Sequence, residues 1–229
     1  MKKYSIIFFL FFIIFLFVFW LFDLTEYFSI EIFIPYRNFV VLFADEHWFL
    51  LPFLFISLYL VVTIFLLPIS TLLTLIGGFI FPQPLSTIYV IIGATFGSSI
   101  VFVLARTFFL NFFKKKGGKQ LEKIERKFHE NGINYLLFLR LVPIFPFWLV
   151  NLGSAFSGIS LRNFFFITLV GLIPAVFIYT EAGAQLGLIL DSGGEVSFQS
   201  IFHWKTKFIL LGLGFLTLIP IILKKLRRR

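Results

Sequence analysis

LLFLRLVPIFPFWLVNLGSAFSGIS, residues 136–160, is apolar enough to enter a bilayer, yet it cannot run as an ordinary spanning helix. Arg140 sits inside it, and Pro143 and Pro146 each remove a backbone donor and disfavour helix in the residue before. Asn151, Gly153, Ser154, Ser157 and Gly158 follow, a run that favours a turn and close helix approach over a continuous lipid-facing rod. Broken backbone at membrane depth persists only where protein or a water-filled cavity covers it. The stretch therefore reads as a re-entrant hairpin lining a polar cavity. A Pro-kinked core helix whose Arg snorkels to the interface is the alternative.

The rest of the chain supports a membrane setting. Of its 229 residues 59% are hydrophobic and 14% charged, where a soluble domain carries about 25% charged residues. Thirty-seven Phe and several apolar runs of 18 or more residues mark an integral membrane protein. The net charge of +9 is localised: Lys and Arg bracket apolar spans and form no basic face of the kind that binds nucleic acid. No Cys is present, which excludes disulfides and thiolate metal sites. His47, His129 and His203 lie far apart without ligand spacing, so no metal is expected. No P-loop, GxSxG or HExxH occurs, no cofactor is implied, and an enzyme is the least favoured class.

Taken in order, Lys2 and Lys3 precede Tyr4 to Phe22, an apolar run of 19 residues and about 28 Å, which reads as an uncleaved signal-anchor helix. Asp23 to His47 holds five acids and one Arg, the composition of an external loop. The apolar stretch from Trp48 to Phe81 is cut at Pro68 and at Gly77–Gly78. Leu85 to Phe113 can span, and its GATFG, residues 93–97, is a small-xxx-small face for a close neighbour. Residues 114–134 are the basic loop, with an LEKIERKF stretch that suits either a surface helix or a solvated loop. Leu161 to Glu181 spans with interruptions at Gly171 and Pro174. Ala182 to Trp204 is a second loop without internal Lys or Arg, and Thr206 to Leu223 is the last span before a basic tail.

Charge parity sets the topology. Of 20 basic residues, 14 lie at the N-terminus, in residues 114–127 and in the tail, so all three are expected on the cytoplasmic side. Residues 49–113 must then cross an odd number of times and residues 135–223 an even number. One crossing plus a hairpin at 49–82 meets the first condition; so do three crossings. Two crossings plus a hairpin at 135–160 meet the second. An internal echo favours the hairpins: LLPI at 66–69 recurs as LVPI at 141–144. Ten residues after each Pro comes Gly78 or Gly153, and three further on Phe81 or Phe156. The expected fold is all-α, with about four spanning helices and two re-entrant hairpins related as an inverted repeat. The hairpins are assigned to Pro68, Gly77 and Gly78 in the first, and to Pro143, Pro146 and Gly153 in the second. The expected divisions are 1–48 for anchor and external loop, 49–186 for the core, and 187–229 for external loop, last span and tail.

These residues resemble the VTT-domain membrane proteins, also called the DedA-like or SNARE-associated Golgi protein family. The second half carries Gly132, FLRLVPIFP, Asn151 and SGIS; the first half carries LLPISTLLTLIGGFIF, GATFG and Phe102-Val-Leu-Ala-Arg106. The likeness covers about residues 60–185. Residues 49–113 lack Asp and Glu, which sets the chain apart from the DedA branch with acids in its first hairpin. The resemblance implies lipid movement across a bilayer, of phospholipids or polyprenyl phosphates; the expected setting is a bacterial cytoplasmic membrane, with both termini inside by the charge parity above. Arg106, Arg140 and Asn151 are the candidate contacts to an anionic lipid headgroup, because guanidinium forks bind phosphate bidentately. Both arginines also fit as interface anchors. An ion- or proton-coupled solute transporter, with Glu181 as its coupling acid, and a non-transporting assembly factor are the other readings; a homo-oligomer is compatible with each.

Overall fold

The short broken helices anticipated around the two Pro motifs are the main feature of the architecture. A computed structural model describes residues 36–141 and 145–191, and every regular element among them is helical. In chain order they are α1 (Arg37–Glu46), α2 (Leu50–Ile64), α3 (Ser70–Ile80), α4 (Leu85–Leu141), α5 (Phe147–Ala155), α6 (Leu161–Gly171) and α7 (Ile173–Asp191).

The first break follows α2. Leu66 takes a left-handed φ of 54°. Its N–H donates to Thr63 O at 3.1 Å, and that of Leu67 to Val62 O at 3.1 Å. This pair of bonds is a Schellman closure, with Pro68 stopping the helix beyond it. A side chain in this conformation costs roughly 1–2 kcal/mol, which is why Gly is usual there. Helix resumes at Ser70.

The α4 assignment runs through 57 residues, but it is not one rod. The Phe164 ring stacks on Phe102 at 4.4 Å and lies 5.4 Å from the Arg140 guanidinium carbon. Phe102 and Arg140 are 38 positions apart, about 57 Å on a straight helix. The chain therefore folds back between an outgoing arm, Leu85–Thr107, and a return arm, Gly132–Leu141. The backbone is helical through the basic stretch 114–134, where the sequence left helix and solvated loop both open.

α6 and α7 form a pair bent by 40° at Leu172. Ser160 caps α6 by accepting from Asn163 N–H at 3.2 Å, and Gly158 makes the preceding turn with φ 73°. Pro174 falls in the first turn of α7, where its missing donor costs little.

Two apolar clusters hold these pieces. One joins Phe55, Tyr59, Leu73, Phe81, Val90 and Val176; the other joins Phe102, Ala105, Leu136, Val150, Ala155 and Phe164. The GATFG face is a close helix contact: a Cβ at Gly93 would meet Tyr59 Cβ at 2.8 Å, and one at Gly97 would meet Thr63 Cβ at 2.7 Å. The outward faces are apolar too. Phe53, Leu58, Phe96, Ile100, Phe166 and Val170 are exposed, and the outgoing arm of α4 is long and apolar enough to cross a membrane.

Three expectations need correction. Gly77 and Gly78 do not cut the first apolar stretch but lie inside α3. Their role is contact: a Cβ at Gly78 would run into the Thr180 backbone of α7, as one at Gly183 would run into the carbonyl of Leu75. That packing also carries helix α7 on to Asp191, so the polar loop expected from Ala182 begins later. Gly153 sits within α5 and faces open space, so it brings no helix close. The anchor at 4–22, the loop before Tyr36, Pro143, the last span and the tail lie outside the described residues.

Candidate functional site

Between α2, α3, the return arm of α4, α5 and α7 lies a cavity of about 290 Å³. Its polar wall includes Tyr59, Ser70, Thr71, Thr74 and Tyr179; its apolar wall includes Phe145, Phe147, Leu172 and Val176. Arg140 is the charged residue among the described residues lining it.

The fold carries Arg140 to this place at the end of the return arm, one residue before the second break. Gly171 lets α6 press against it, since a Cβ there would lie 2.7 Å from Arg140 Cβ. The side chain is 3% exposed, so it is buried and does not snorkel to an interface. Its Nη2 donates to Asn151 Oδ1 at 2.6 Å and to Thr168 Oγ1 at 3.2 Å. The rings of Phe147 and Phe164 lie 5.0 and 5.4 Å from the guanidinium carbon, and each cation–π contact contributes up to about 2 kcal/mol when desolvated.

These partners are all neutral. Arg140 Nε and Nη1, and Asn151 Nδ2, are buried without a hydrogen-bond partner among the described residues. A buried donor left unpaired costs about 1–3 kcal/mol, and more when charged. A burial of that kind needs an anion or a functional reason.

Elsewhere in the lining Tyr59 Oη meets Thr74 Oγ1 at 3.0 Å, and Thr74 Oγ1 donates to Ser70 O at 2.8 Å. These bonds hold α2 to α3 just beyond the first break. At the far end of α3, Gln83 Nε2 donates to Thr180 Oγ1 at 2.7 Å and Thr87 Oγ1 to Gln83 Oε1 at 2.8 Å. That cluster ties the 82–84 turn to α7 and lies apart from the cavity.

The residues expected to act together are only partly assembled. Asn151 is fully buried and holds Arg140, and it is not among the residues that line the cavity. Arg106 is elsewhere: its Nε donates to Ala155 O at 3.2 Å and its guanidinium lies 4.5 Å over the Phe102 ring. A cation on the last carbonyls of α5 suits the negative end of that helix. Glu181 accepts from Gln185 Nε2 at 2.9 Å and is not in the lining. Pro146 lines the cavity and precedes α5, while Pro68 precedes Ser70 and Thr71 of the lining. The sequence reading missed Thr168, Tyr59 and Thr74. Each is an ordinary residue of an apolar helix, with no local signal that marks it.

Comparison with known proteins shows the family to which the chain is related. The profile of the VTT domain family matches residues 67–185, more than half of the chain. Transmembrane protein 41B of Mus musculus is 32% identical over 133 residues, which are 58% of this chain and 43% of that one. Transmembrane protein 41 homolog of Caenorhabditis elegans is 32% identical over 133 residues, 56% and 51% of the two chains. Transmembrane protein 41B of Xenopus tropicalis is 30% identical over 138 residues, 60% and 47%. The chain thus spans about half the length of these relatives or less. No solved structure matches it.

Proposed function

The chain belongs to the VTT domain family of multi-pass membrane proteins, and from that premise we propose that it moves phospholipids or polyprenyl-phosphate-type lipids across a bilayer, with the headgroup passing through the Arg140 cavity. The observation that carries this reading is a buried guanidinium with two donors unpartnered among the described residues, at the wall of a cavity of about 290 Å³. A phosphate oxygen is the acceptor that such donors would take. The hydroxyl-bearing part of the lining suits the rest of a polar headgroup, and the apolar outer faces suit acyl chains in lipid.

The helix lengths support the two hairpins. α2 and α3 have 15 and 11 residues, the return arm of α4 has 10 and α5 has 9. At 1.5 Å per residue these are about 14–22 Å long, short of a hydrocarbon core of about 30 Å. LLPI falls between α2 and α3, as LVPI begins where α4 ends. α2 leans on Gly93 and Gly97 of the next span, as the return arm leans on Gly171 of its own. This correspondence favours an inverted repeat whose midplane meeting point is the cavity. With the basic stretches inside, the protein sits in a bacterial cytoplasmic membrane with both termini cytoplasmic.

The test is transbilayer movement of fluorescent phospholipid in vesicles containing the purified protein. Faster movement than in protein-free vesicles, and its loss in Arg140→Gln at equal incorporation, are expected. Movement equal to that of empty vesicles refutes the function.

A further inference from the structure

A guanidinium offers two planar forks to an oxyanion, Nε with Nη2 and Nη1 with Nη2. Both forks use Nη2. In this protein Nη2 is the nitrogen already engaged, by Asn151 Oδ1 at 2.6 Å and Thr168 Oγ1 at 3.2 Å. Its two hydrogens are thereby taken, while Nε and Nη1 on either side of it have no partner among the described residues. The fork that recognises a phosphate is present but closed at its shared atom.

We propose that Asn151 is a latch: its carboxamide oxygen holds Nη2 until a phosphate oxyanion of a lipid headgroup displaces it and takes the fork. The proposal rests on the headgroup reading of the cavity and adds how that site opens and closes. Asn151 suits the role because its acceptor is neutral. It satisfies a buried charge without neutralising it, so a charged oxyanion outcompetes it, which an Asp at the same place would not allow. Its own Nδ2 is buried and unpartnered among the described residues, giving the displaced amide a donor to turn toward the incoming oxygen. Thr168 is the weaker half of the latch, at the longer distance. Asn151 therefore acts through Arg140 as a positioning residue, and the lipid it releases is let go when Asn151 reclaims Nη2.

The sign of one measurement separates this from a purely structural role. Binding of dihexanoyl phosphatidylglycerol and of inorganic phosphate is measured with purified full-length protein in detergent, for wild type, Asn151→Leu, Thr168→Val and Asn151→Asp. A hydrogen bond to a charged group is the competitor removed, so Asn151→Leu binds the short-chain lipid on the order of tenfold tighter. Thr168→Val, nearly isosteric and independent of any packing fault at Asn151, tightens it by less. Asn151→Asp loses binding, because a carboxylate keeps the fork. Weaker or unchanged binding in both Asn151→Leu and Thr168→Val, with wild type binding normally, overturns the latch and leaves the headgroup reading intact. Tightening for inorganic phosphate alone keeps the latch but overturns a lipid as its ligand. No binding of either probe by wild type or variants overturns both.

Discussion

Gly171→Ala tests whether the packing behind Arg140 sets the site. A Cβ at 171 would lie 2.7 Å from Arg140 Cβ and 3.4 Å from both Arg140 Cγ and Leu137 Cδ1. Carbon atoms rest about 3.5–4.0 Å apart, so α6 and the return arm of α4 must separate by about 1 Å. The obstructing atom is next to the backbone and cannot swing away as the tip of a side chain could. The Arg140–Thr168 bond joins the same two helices at 3.2 Å, and a shift of that size takes it beyond hydrogen-bonding range. Overpacking of this kind costs about 1–3 kcal/mol, and the lost charge-assisted bond adds about 1.5–3 kcal/mol. Helix propensity returns up to about 1 kcal/mol. The net expectation is about 2–5 kcal/mol of destabilisation, with lipid movement at least about tenfold slower in the protein that remains folded, because a displacement near 1 Å matters at a site that depends on alignment. Thermal unfolding in detergent reads the first quantity and a vesicle assay the second. Unchanged unfolding temperature together with unchanged lipid movement would refute the reasoning.

Three further outcomes follow from the same geometry. Arg140→Lys keeps the charge but loses the fork, so lipid movement should fall at least about tenfold while protein abundance in the membrane holds; equal movement at equal abundance contradicts the fork. Gly78→Ala should abolish stable folding, since the clash is with the Thr180 backbone, whereas Gly153→Ala, which meets nothing within 4 Å, should raise stability by up to about 1 kcal/mol; size-exclusion profiles and unfolding temperatures of the two variants check the contrast. A Cys introduced at Lys116 should be shielded from an impermeant thiol reagent in intact cells, and one at Glu31 should react, the native chain having no Cys to confuse the result; the reverse pattern inverts the topology.

Much of the fold was legible because its punctuation is local. Proline beyond the first turn interrupts a helix, so Pro68 and Pro146 marked the ends of the two breaks, and Gly93 and Gly97 four apart marked the surface on which α2 lies. Glycine is less explicit. Gly77 and Gly78 look like breakers in sequence, but a helix tolerates them when a neighbour needs the space: the Phe55 ring beside Gly77, and beside Gly78 the Thr180 backbone, about a hundred residues away. Leu66 shows the opposite case: a left-handed position without Gly, set by the cap bonds around it.

The site was legible in its charge and not in its partners. Arg140 stood out because a cation in an apolar run requires an explanation. Its partner Asn151 was already among the residues singled out, but the second acceptor, Thr168, lies 28 positions on, and Thr in a spanning helix is ordinary. Arg106 carried the same residue-level signal as Arg140, and only the tertiary arrangement separates them: one guanidinium lies on a helix-end carbonyl, the other at a cavity wall.

The central claim is that a lipid headgroup enters the cavity beside Arg140. Photo-crosslinking of the purified protein in vesicles, with phospholipid bearing the reactive group on its headgroup, tests it most directly when the adducts are located by mass spectrometry. Adducts on Tyr59, Phe147 and Tyr179, lost when excess unlabelled lipid competes, are the predicted result. Adducts confined to the outward-facing Phe53, Phe96 and Phe166 would contradict it.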